Sequence, residues 1–111
     1  MIDMKYAIAS SGNKAESLVS AQFGHAAYVA IYETDTQELQ FVENPYSAMR
    51  QQAGKQLLEM LLAEHVHFIV SGSFGPKIIP LIGSRKVQLI VYNRKGTSVE
   101  HILHLINNKK S

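Results

Sequence analysis

Tyr28-Val29-Ala30-Ile31-Tyr32-Glu33-Thr34-Asp35-Thr36-Gln37-Glu38-Leu39-Gln40-Phe41-Val42-Glu43 is the stretch that decides the fold. Two β-rich runs, residues 28–33 and 38–43, flank four polar residues. So short a connection makes the two strands an antiparallel hairpin. In the second run Leu39 and Phe41 alternate with polar neighbours, the period of a strand with one face covered. Asn44-Pro45 then stops the sheet, because proline cannot extend a ladder and disfavours helix at the residue before it.

Upstream, residues 4–10 read as a buried first strand ending in the turn cluster Ser10-Ser11-Gly12-Asn13. Residues 13–25 form a loop longer than ordinary connections, and such loops are often binding loops. Downstream, residues 48–64 turn helical, with Met49, Ala53, Leu57 and Leu61 recurring every fourth position and Leu58 and Leu62 widening the stripe. Lys55 and Glu59 fall on the opposite face. Gly54 within this helix costs about 1 kcal/mol against alanine, which points to close packing or close approach of a ligand. Residues 67–71 are a fourth strand, 77–82 a short helix and 87–92 a fifth strand. Thr97-Ser98-Val99-Glu100 reads as a capping box with Thr97 as the cap, opening a last helix with Val99, Ile102, Leu103 and Ile106 on one face.

Strands four and five alternate with helices and should be parallel, while the early hairpin makes the sheet mixed. The expected fold is α/β: a five-stranded mixed sheet in a three-layer α/β/α arrangement. At 111 residues, one domain over 1–111 is expected, large enough for a core without staples. Apolar residues make up 46% and charged residues 18%, an ordinary globular balance. The net charge of +2, to which Lys109-Lys110 contribute, is too small to argue for nucleic acid. Met1-Ile2-Asp3-Met4-Lys5 has no signal-peptide shape, and no apolar run approaches the ~20 residues of a membrane span, so a cytoplasmic location without a membrane partner is expected.

There is no cysteine. Any metal site must therefore use histidine, carboxylate, backbone or ligands brought by a cofactor. Ligands of open α/β sheets favour the crevice beyond the carboxyl ends of parallel strands. The segments leaving such ends are Ser10-Ser11-Gly12, Asn44-Pro45 and Gly72-Ser73-Phe74-Gly75-Pro76. Exposed amides at the last of these could hold an anion. The loop's Phe23-Gly24-His25 belongs with them if it folds over the sheet edge: Phe23 to pin the loop, Gly24 to allow close approach, His25 to bind a proton, an anion or a metal. His65 and His67, and His101 and His104, read as ordinary surface histidines rather than metal pairs. No thiol nucleophile and no nucleophile elbow exist, and a two-metal nuclease would need convergent carboxylates where the segments offer only Glu43. The chain is expected not to be an enzyme.

Ile8-Ala9-Ser10, Val19-Ser20 with Phe23-Gly24-His25-Ala26 and Tyr28, Glu43-Asn44-Pro45, Gly72-Ser73-Phe74-Gly75-Pro76, and Gly96-Thr97 with Glu100 occur in an order and spacing that resembles the dinitrogenase iron-molybdenum cofactor biosynthesis family. The resemblance covers about residues 4–107. It implies a ribonuclease-H-like fold and a nitrogenase accessory factor-like domain. It also implies a non-catalytic carrier of an iron-molybdenum or iron-sulfur cluster, working with donor and acceptor proteins. Family members often carry a histidine and then glycine shortly after the Asn-Pro turn; here Arg50 and Gln51 stand in that neighbourhood. On this reading His25 supplies the metal contact, amides of Ser11-Gly12 and of 72–75 meet sulfides, and Arg50 supplies charge. The alternative is a regulatory or interaction domain that binds a small anion or peptide in the same pocket. An uncovered edge strand could also support a homodimer.

Overall fold

The computed structural model describes residues 3–108. Met1-Ile2 and Lys109-Lys110, used above for the leader and the charge, lie outside the described residues. The elements are β1 (Lys5–Ser10), β2 (Tyr28–Glu33), β3 (Leu39–Glu43), α1 (Ala53–Ala63), β4 (Phe68–Ser71), α2 (Ile78–Ile82), β5 (Gln88–Val91) and α3 (Val99–Asn108). They build one five-stranded sheet in the order β3-β2-β1-β4-β5. β1 pairs antiparallel with β2, Ala7 opposite Ile31, and parallel with β4, Ala7 opposite Ile69. The hairpin β2–β3 is antiparallel and β4–β5 parallel. The mixed sheet and its element order are those expected from the sequence.

Strand alternation divides the core between the two faces. Ala7, Ala9, Val29 and Ile69 pack with Leu57, Leu58 and Leu61 of α1 and with Ile78 of α2. Ile8, Ala30, Tyr32 and Val70 pack with Val99, Ile102 and Ile106 of α3. Helices on both faces complete the three layers. Among the described residues, no helix is long and apolar enough to cross a membrane.

Two helix starts differ from expectation. α1 begins at Ala53, not near residue 48. Gln52 before it is left-handed, φ 65°, which breaks the helical run, and Met49 is 37% exposed rather than part of the buried stripe. The four-residue period in 49–53 is thus coincidental. Glu59 pairs across to Arg85 at 2.9 Å on the surface, a contact that contributes about 0–1 kcal/mol.

The cap of α3 is displaced by one residue. Thr97 donates its hydroxyl to the Arg94 carbonyl at 2.8 Å, while the Ser98 hydroxyl accepts from the His101 amide at 3.1 Å. The long loop supplies the other acceptors: the amides of Val99 and Glu100 donate to the carbonyls of Ser17 and Ala15, each at 2.8 Å. These carbonyls set the register of the helix start, and they favour Ser98 over Thr97. Ser98→Ala should therefore cost about 1 kcal/mol and lower the thermal midpoint by about 4–6 °C, readable by circular dichroism.

Candidate functional site

The loop 13–25 does fold over the sheet edge. Leu18 to Ser20 run beside the end of β1, with the Ser11 amide donating to Leu18 O at 2.9 Å and the Ser20 amide to Ala9 O at 2.8 Å. The loop then crosses to β4. Its Ser20 carbonyl accepts from the Gly72 amide at 2.9 Å, and its Ala21 carbonyl accepts from the Ser73 hydroxyl at 2.7 Å. Phe23 is 2% exposed; its ring lies 5.2 Å from that of Phe74, and its amide donates to Ser73 O at 3.2 Å. The aromatic thus anchors the loop to the β4–α2 turn, as read from the sequence.

This anchoring brings Gly24 onto the first turn of α1. A β-carbon on Gly24 would fall 2.5 Å from the Gly54 nitrogen and 2.8 Å from its α-carbon. A β-carbon on Gly54 would meet Ile78 Cδ1 at 2.8 Å. Both glycines lie where the loop, α1 and α2 meet: Gly24 has no room for a side chain against the α1 backbone, whereas a methyl at Gly54 would displace only the tip of the Ile78 side chain. The tight junction leaves an open cleft of about 390 Å³ between the three. Its walls include Phe23, Gly24 and His25 from the loop, Ser73 to Gly75 from the turn, and Gln52 and Gly54 at the start of α1.

His25 is exposed, and its Nδ1 lies 2.9 Å from the Ser47 carbonyl. A carbonyl only accepts, so Nδ1 carries the proton and Nε2 of the neutral ring keeps its lone pair. The same bond ties the segment after Asn44-Pro45 to the rim of the cleft. Lys77 is the ammonium among the lining side chains, and no carboxylate lines the cleft. The amides of Gly24, His25, Ser73, Phe74, Gly75 and Lys77 make no hydrogen bond among the described residues. One imidazole nitrogen, one ammonium and several unengaged amides make a cleft suited to an anion.

The other expected residues lie elsewhere. Ser10 is buried, its hydroxyl donating to Gly12 O at 2.7 Å and accepting from the Gly12 amide at 3.3 Å. With the Ser11 amide on Leu18, the Ser11-Gly12 amides, expected to meet sulfides, are engaged by the chain itself. The Gly72 amide is likewise taken by Ser20. Asn44 is 2% exposed and acts as a clamp: its Nδ2 donates to Gly24 O at 3.0 Å and Ala26 O at 2.8 Å, and its Oδ1 accepts from the Tyr46 amide at 2.9 Å. Arg50 and Gln51 are exposed and do not line the cleft. Lys77 takes the place of Arg50 as the lining cation, and sequence reasoning missed it. Its signal was its position directly after Gly75-Pro76, at the entry of a helix.

Among the described residues, no group of three or more histidines, cysteines or carboxylates could hold a metal ion. The donor set therefore does not fit a bare metal ion. It fits an anionic group that brings most of its own ligands.

None of the curated proteins matches the chain. Among solved structures, the apo form of the orange protein from Desulfovibrio gigas superposes with a TM-score of 0.85 at 18% identity, covering 96% of this chain and 89% of that one. A NifB-like protein of the DUF35 family from Thermotoga superposes with a TM-score of 0.77 at 24% identity, covering 95% and 88%. At these identities the two structures speak for the fold. The family model described as dinitrogenase iron-molybdenum cofactor matches residues 4–109, nearly the whole sequence, and the chain belongs to that family.

Proposed function

We propose that the chain, as one domain, is a non-catalytic carrier for an anionic metal–sulfur cargo of the iron-molybdenum or iron-sulfur type, received from and passed to other proteins. The cargo would sit in the cleft between the loop, the β4–α2 turn and α1. The observation that carries this reading is the pairing of His25 with Ser47. It leaves Nε2 as a single coordinating nitrogen at the rim of an amide-lined, carboxylate-free cleft. A cargo with its own sulfides needs only such a contact from the protein, and Lys77 with the free amides offsets its negative charge. Family membership supports the class of cargo.

Anaerobic reconstitution with iron, sulfide and molybdate tests it, read by metal analysis and the absorption spectrum. Wild type should retain metal and sulfide near stoichiometry, and His25→Ala should retain about tenfold less at the same concentration. The variant should stay folded, because His25 is exposed. A colourless, metal-free wild type would overturn the carrier reading. Metal-independent thermal stabilisation by molybdate or phosphate would then favour a regulatory domain that binds a small anion at Lys77 and the amides.

A further inference from the structure

The sheet ends on two edges of opposite character. β3 has Glu38 before it, Glu43 at its end and Pro45 just beyond, the charges and proline by which an edge resists pairing. β5 reads Gln88-Leu89-Ile90-Val91, with no charge and no proline. The amides of Gln88 and Tyr92 donate to His67 O at 3.0 Å and Ser71 O at 2.9 Å on the β4 side. By strand alternation, the N–H and C=O groups of Leu89 and Val91 face outward.

An apolar floor lies beside this edge. Ile79, Pro80 and Ile82 of α2 form a shallow groove with Leu89. Ile79 is 66% exposed, and Val91, on the same face of the strand as Leu89, is 58% exposed. Cations stand at both ends: Lys86 before the strand, Arg94 and Lys95 after it, all exposed. Arg85 is already engaged by Glu59.

We propose that β5 is the docking edge for an extended segment of a partner protein, with apolar residues at alternate positions and carboxylates at both ends, which joins the sheet as an additional strand. Main-chain bonds to Leu89 and Val91 supply the pairing, the α2 groove takes the alternate side chains, and the flanking cations set charge and register. A second copy fits less well. Two β5 strands paired antiparallel about their centre would set Lys86 of one copy against the Arg94-Lys95 end of the other, like charge against like. A carboxylate-flanked strand meets opposite charge at both ends. The cleft lies on the same helix, since Ile78 lines the cleft and Ile79 the groove, but the docking edge stands whether or not a cargo is bound.

The test titrates the full ¹⁵N-labelled chain with the peptide acetyl-Glu-Glu-Val-Thr-Val-Thr-Val-Glu-Glu-amide and with its counterpart carrying Lys at the four Glu positions. The acidic peptide should shift the amides of Leu89 and Val91 first and bind about tenfold more tightly than the basic one, and its affinity should fall about fivefold between 50 and 300 mM salt. Val91→Pro deletes one outward donor and no bond to β4, so it should abolish binding without changing the thermal midpoint by more than a few degrees. If that variant does not fold, Lys86→Glu combined with Lys95→Glu should invert the preference between the peptides. Equal affinity for both peptides, shifts confined to β3 or the cleft, or no shift at millimolar peptide would overturn the proposal. Concentration-dependent shifts of the β5 amides without peptide would overturn it in favour of a second copy.

Discussion

Gly24→Ala is expected to lower the thermal midpoint by about 10–15 °C, from a destabilisation of about 3 kcal/mol. The added methyl would lie 2.5 Å from one backbone atom of Gly54 and 2.8 Å from another, with the Ala53 carbonyl carbon at 3.1 Å. All three belong to the first turn of α1, where no side chain can swing aside. Relief requires the loop and the helix to part, which disturbs the Phe23 anchor and the cleft together. Loss of stability and loss of any ligand should therefore appear in the same variant. Gly75→Ala is the matching control. It lines the same cleft, but a β-carbon there meets nothing within 4 Å. Alanine at that position restricts the unfolded chain and should be neutral or stabilising by up to about 1 kcal/mol. Chemical denaturation of the two variants should thus give changes of opposite sign, and equal destabilisation would contradict the packing described for Gly24.

Asn44 predicts the second large effect. Asn44→Ala strips a donor from two carbonyls, Gly24 O and Ala26 O, and an acceptor from the Tyr46 amide. Leaving such buried groups unpaired should cost about 2–4 kcal/mol. Asn44→Asp is the more informative change. It keeps the acceptor for Tyr46 but turns a carboxyl oxygen towards the two carbonyls. Only the protonated carboxyl, with its O–H, suits that place, so folding raises its pKa above the ordinary aspartate value of about 3.9. The sign of the linkage follows. The stabilising form is complete below the unfolded value and is lost as pH rises through the folded one. Asn44→Asp should lie nearest to wild type at about pH 4 and fall further behind towards pH 7.5, where Asn44→Ala shows no such trend. Urea midpoints at the two pH values decide it.

Asn44 also shows what a sequence conceals. An asparagine between a strand and a proline at the expected ligand end reads naturally as a ligand contact. Its bond to the amide two residues on is a local turn device, available to sequence reasoning. Its two bonds to the distant loop are not, because they exist only once residues 24–26 have been brought beside it. The strands were legible because each is a short β-rich run bounded by turn residues, with alternation adding to the signal in β3, and β2 and β3 could be paired because four residues separate them. The start of α1 was not: the period of residues 49, 53, 57 and 61 is continuous in the sequence, and nothing in that period marks Gln52 as the left-handed residue that interrupts it. Thr97 and Ser98 offered two adjacent hydroxyls, and carbonyls some 80 residues upstream chose between them. For the candidate site, the turn at Ser73 to Gly75 and the loop at Phe23 to His25 were legible as segments. That Lys77 rather than Arg50 lines the cleft depends on how the short helix α2 abuts α1.

The capping of α3 by Ala15 and Ser17 has a consequence for the order of events during synthesis. The loop that carries Phe23 and His25 leaves the ribosome before residues 97–100, which are part of its scaffold. The Val19 amide, too, donates to Thr97 O at 2.8 Å. Until residues 97–100 emerge and dock, the loop lacks its bonds at Ala15, Ser17 and Val19, and contacts so distant in sequence form slowly. A nascent chain, or one cut before residue 97, has every residue of the cleft and only part of its framework. The framework of the cleft is thus complete only when residues 15–19 and 97–100 have met.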